Sequence, residues 1–78
     1  QTTIHFQLPK TTEVTLKIFN ILGQYVCTLS DQQRYVAGKH HLTWDGKDKN
    51  ENWVTSGLYF YRLNAEELVV TGRMVLLR

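Results

Sequence analysis

A single cysteine, a single proline and a single methionine occur in this 78-residue chain, and these scarcities exclude more than the abundant residues suggest. Cys27 has no second cysteine to pair with, so the disulfides that commonly staple small secreted domains are not available within the chain. It reads as a small apolar side chain in a strand rather than as a reactive thiol. No apolar run approaches the roughly 18 residues of a membrane-spanning helix, and no signal peptide opens the sequence. The nine Lys and Arg residues are dispersed, and the net charge of +2 gives no basic tract of the kind that marks nucleic-acid binding. Sustained helical spacing is missing throughout. The lack of an initiator Met at Gln1 is what a segment cut from a larger protein would show.

What is present is alternation with a period of two. Ile4, Phe6 and Leu8 alternate with polar residues until Pro9, which removes a backbone donor and ends the run. Val14, Leu16 and Ile18 repeat the pattern on one face. Asn20 to Gln24 turns the chain, with Gly23 supplying a positive φ. A third strand follows over Tyr25 to Ser30, where the spacing of Val26 and Leu29 predicts a bulge. Ser30 to Gly38 reads as a loop. In the next strand His40, Leu42 and Trp44 share one face, while His41 and Thr43 share the other. After a polar loop come a short run at Trp53 to Thr55 and a strong strand at Leu58 to Leu63. Asn64 to Glu67 reads as a hairpin connection, and Leu68 to Leu77 as a final strand interrupted at Gly72. Six or seven short strands predict an all-β sandwich or barrel in one small domain. A chain of this size buries only about 60–65% of its unfolded surface, which leaves no bulk for a deep active site.

The chemistry-bearing residues give no catalytic or cofactor site. His40 and His41 face opposite ways and cannot hold one metal together, so a zinc site would need His5 and a carboxylate brought in by the fold. The loop Asp45 to Asn52 carries the D-x-N-x-N opening of a calcium site. Trp53 stands where that motif needs Gly, and Tyr59 where it needs a terminal acid, so turn chemistry is the better reading. No serine lies in a G-x-S-x-G context. Trp44, Tyr59 and Tyr61 are expected in the core. Trp53 and Tyr35, in or beside loops, are more simply core caps than a sugar-stacking pair.

Four stretches carry a resemblance that covers nearly the whole chain. They are VTLKIFNILGQYVCTL (14–29), AGKHHLTWDGKD (37–48), SGLYFYRL (56–63) and RMVLLR (73–78). In this order they resemble the C-terminal sorting domains of proteins exported by the type IX secretion system. They are also similar to the related immunoglobulin-like domain of flagellar hook-capping proteins. The resemblance implies an immunoglobulin-like β-sandwich of about seven antiparallel strands over residues 1–78, at the C-terminus of a larger secreted protein. It implies a non-catalytic role directing an attached N-terminal cargo domain across the outer membrane to the surface by way of the periplasm. The implied partners are the secretion translocon and a sortase, with no nucleic acid, no membrane span and no cofactor. The sorting signal then maps onto Arg73, Met74, Val75, Leu76, Leu77 and Arg78. Gly57 matches the family's Gly before the aromatic strand and Gly23 its turn Gly, while Trp44, Tyr59 and Tyr61 are read as anchors from their own strand positions. The chain departs from the family in carrying Glu51 where a loop Gly is usual, and it starts at Gln1-Thr2-Thr3, so the N-P-x-x-P lead-in is absent or trimmed away. The alternatives are a structural module of the hook-capping kind and a carbohydrate-binding module using Trp53 and Tyr35.

Overall fold

A computed structural model describes residues 1–77, and in it the alternation becomes six strands and no helix. They are β1 (Thr2–Leu8), β2 (Thr12–Phe19), β3 (Tyr25–Tyr35), β4 (Gly38–Trp44), β5 (Gly57–Ala65) and β6 (Leu68–Leu76). β1 and β4 form a two-stranded sheet, and the other four form a sheet ordered β3-β2-β5-β6, with every pairing antiparallel. The chain crosses from one sheet to the other at each of the links β1–β2, β3–β4 and β4–β5, giving a two-layer sandwich.

The core lies between the layers because one side of nearly every strand is apolar. Val14, Leu16 and Ile18 project from one face of β2 and are fully buried. Ile4, Leu8 and Trp44 enter from the small sheet and Tyr59, Leu63 and Leu76 from the large one. Each large apolar side chain so buried contributes about 1.5–3 kcal/mol over exposure. β1 stops at Leu8, immediately before Pro9. The Asn20 turn forms as its sequence implies. Asn20 Oδ1 accepts hydrogen bonds from the backbone N–H groups of Leu22 and Gln24, and Gly23 has φ +80°. An ion pair of 2.9 Å between Lys10 and Glu66 ties the β1–β2 link to the β5–β6 turn.

Three expectations need correction. The sandwich has six strands, not seven, because Trp53 makes only an isolated bridge to Lys47. Ser30 to Gly38 is not a loop: β3 continues to Tyr35, pairing with Thr12 to Val14. The segment looks polar because most of its side chains face solvent, while the backbone keeps the ladder through a bulge at Gln32, φ +50°. The Gln32 N–H is satisfied by Thr15 Oγ1 at 3.0 Å, and the bulge expected from the spacing of Val26 and Leu29 appears separately, as register shifts between Leu16 and Lys17 and between Ile18 and Phe19. Lastly, Gly72 does not interrupt β6. It pairs with Tyr61 in an unbroken ladder from Leu68 to Leu76.

Candidate interaction surface at the β6 edge

β6 hydrogen-bonds to β5 on one side and, among the described residues, has no strand on the other. An edge strand presents unpaired N–H and C=O groups, which is a template for a further strand. Proteins usually blunt such an edge with charge or proline. Here Leu68 and Val70, in register with the inward residues Ala65 and Leu63, are still 40% and 39% exposed. Val69 and Val75, on the opposite face, are 59% and 57% exposed, and Leu77 just beyond the strand is 74% exposed. The two-stranded sheet is too narrow to cover the whole inner face of the four-stranded one, so the apolar side chains of β6 remain partly open.

The outward face beside this edge is basic and aromatic. Register places Lys17 opposite Arg62, and Arg62 opposite Thr71. In the neighbouring row Phe19 is opposite Phe60, and Phe60 opposite Arg73. The Arg62 guanidinium sits 4.9 Å from the centre of the Phe19 ring, a cation–π contact across the outer face of the sheet. A shallow groove of about 350 Å³ runs over Phe19, Phe60, Tyr61, Arg62 and Thr71. Dispersed cations in the sequence thus converge in the fold. The signal was available only by combining the period-two pattern with strand order, which the sequence does not state.

The structure divides the six residues assigned to the sorting signal. Arg73, Val75 and Leu77 are exposed, Met74 packs half-buried against the core, and Leu76 is wholly buried within it. Arg78 lies outside the described residues. Trp44 is 1% exposed, its ring 5.0 Å from that of Tyr59 in an edge-on arrangement, and its indole N–H donates to Lys47 O at 2.9 Å. Tyr61 is half-buried, and Gly57 opens β5 opposite Leu76.

The polar loop behaves as turn chemistry. Asp45 Oδ1 accepts the Lys47 N–H, and Asp48 Oδ1 accepts those of Asn50 and Asn52, so one oxygen of each carboxylate is turned to the backbone. Glu51 takes φ +65°, a left-handed conformation that glycine adopts at less cost. Trp53 and Tyr35 are not brought together. Trp53 shares a cleft with Gln1 and Asp45 at one end of β4, whereas Tyr35 packs on Phe6 and His40 at the other. Lys47 Nζ also lies 4.7 Å from the Trp53 ring centre and covers one of its faces. Burial pushes the Cys27 thiol from its ordinary 9.0 up to about 11, with Asp45 and Asp48 adding to the shift.

A family model described as the FlgD Ig-like domain matches residues 1–68. No curated protein matches the chain. The matched region takes in β1 to β5 and ends where β6 begins.

Proposed function

The chain belongs to the FlgD Ig-like domain family, and on that premise we propose that it is a non-catalytic docking module whose working surface is the open edge of β6. The observation that carries this reading is an unpaired edge strand with exposed apolar side chains beside a basic, aromatic sheet face. β-Augmentation uses both elements: main-chain hydrogen bonds supply affinity, and alternate side chains supply specificity. A partner offering an extended segment with apolar residues and acidic groups complements Arg62 and Arg73.

In the finer form of the proposal, the module directs an attached cargo protein across the outer membrane, and the segment that meets β6 belongs to the secretion translocon. Support comes from the order of the four resembling stretches and from the exposure of Arg73, Val75 and Leu77. The module then acts at the C-terminus of its parent, and a sortase acts on it afterwards at the cell surface. The competing reading is a structural module, like its hook-capping relatives, that packs against neighbouring subunits and has no part in export.

Fusing the 78 residues to the C-terminus of a periplasmic reporter, in a host with the secretion system, separates the two. The sorting form predicts reporter at the surface or in the medium. Reporter that stays wholly periplasmic, with the module folded, refutes sorting and leaves the structural reading.

A further inference from the structure

The outer face of the two-stranded sheet brings together two histidines that lie far apart in the sequence. His5 and His41 are direct partners across β1 and β4. Their ring centroids are 5.9 Å apart with the planes tilted by 44°. Both side chains are exposed, and neither ring is engaged in a hydrogen bond among the described residues. His40 is excluded from the pair. It faces inward against Phe6 and Tyr35, and its Nε2 lies 2.7 Å from Val36 O. The sequence rules out chelation by the adjacent His40 and His41, whereas the fold supplies His41 with a different partner.

Two imidazoles bound to one cation at about 2.0–2.1 Å hold their ring centroids roughly 5 Å apart. Closing the observed separation by about 1 Å requires only small χ rotations of two solvent-exposed side chains. The rung is flanked by Thr3 and Thr43, whose hydroxyls are 3.1 Å apart, and by Gln7 and Lys39. Lys39 is the nearest opposing charge on this face, one rung away. No group of three or more His, Cys, Asp or Glu residues able to hold a metal occurs among the described residues, so the pair stands on two ligands.

We propose that His5 and His41 chelate one divalent transition-metal ion, with water in the remaining positions. Neutral imidazoles suit borderline metals, and the expected order of affinity is Cu²⁺ over Ni²⁺ and Cu²⁺ over Zn²⁺. The ligands meet only when β1 pairs with β4, so the ion binds the folded chain and staples the small sheet.

Titration of the chain with Ni²⁺ alone tests this, read by calorimetry and by the thermal unfolding midpoint. One ion per chain should bind and raise the midpoint. His5→Ala and His41→Ala should each weaken binding by at least about tenfold and abolish the rise, since each removes one of two ligands. His40→Gln should retain both effects. Circular dichroism establishes that each variant is folded. Undiminished affinity in folded His5→Ala or His41→Ala, or no rise in the wild-type midpoint at saturating Ni²⁺, overturns the proposal.

Discussion

Tyr61 occupies the space in which Gly72, its partner across the β5–β6 ladder, would carry a side chain. A Cβ added at Gly72 would fall 2.5 Å from Cε2, Cζ and Oη of the Tyr61 ring. The ring therefore covers a bare stretch of backbone in the middle of the edge strand, and the close approach requires glycine there. The contact fastens β6 to the sandwich while leaving its outer side open.

Gly72→Ala should accordingly destabilise the chain by about 1–3 kcal/mol, the usual range for overpacking. Adding Tyr61→Leu to Gly72→Ala should recover part of that loss. A double-mutant cycle by urea denaturation measures the coupling, and independent additive effects would show that the ring does not restrain Gly72.

Trp44 joins the core to the polar loop through its indole N–H. Trp44→Ala should cost about 3–5 kcal/mol by cavity formation. Trp44→Phe should cost about 1–3 kcal/mol, since the Lys47 carbonyl loses its donor as the core loses volume. Urea midpoints separate the two. Trp53→Ala, at a 59% exposed position, should change stability by no more than about 1 kcal/mol.

The raised thiol of Cys27 predicts a pH dependence of definite sign. Burial favours the protonated form in the folded state, so between pH 9.0 and about 11 the unfolded chain has lost this proton while the folded chain keeps it. Stability contributed by this group is present below pH 9.0 and falls as pH rises through that window. Unfolding midpoints for wild type and Cys27→Ala, compared across the window, should show a steeper decline for wild type. Parallel curves would show that the thiol is not shielded.

Much of the fold is legible in the sequence because burial on one side of a sheet writes itself as alternation. The runs Ile4–Leu8 and Val14–Ile18 become β1 and β2, Pro9 ends the first, and Gly23 turns the second. The failures share a cause. Ser30 to Tyr35 is a strand held by backbone pairing while most of its side chains face solvent, so hydropathy marks it as a loop. Gly72 suggests an interruption, yet its missing side chain is a packing requirement set by Tyr61, a residue 11 positions earlier. The candidate surface is half visible in the sequence. The pattern singles out the final strand, but Leu76 is core and Met74 packs against it, and among the described residues of 73–78 only Arg73, Val75 and Leu77 are exposed. The basic face formed by Lys17, Arg62 and Arg73 depends on strand order and leaves no local trace. The His5–His41 rung likewise requires the β1–β4 register.

The burial of Leu76 determines how the docking surface must be tested, because deleting residues 73–78 would remove a core side chain and confound docking with unfolding. Substitution of outward residues avoids this. For the proposed sorting form of docking, the most direct measurement is the fraction of a fused reporter at the cell surface, in a host with the secretion system, when the module carries Val69→Glu, Arg73→Glu and Val75→Glu together. The account predicts a folded module, shown by resistance to protease, with the reporter retained in the periplasm. Surface delivery at the wild-type level by this folded variant would contradict it.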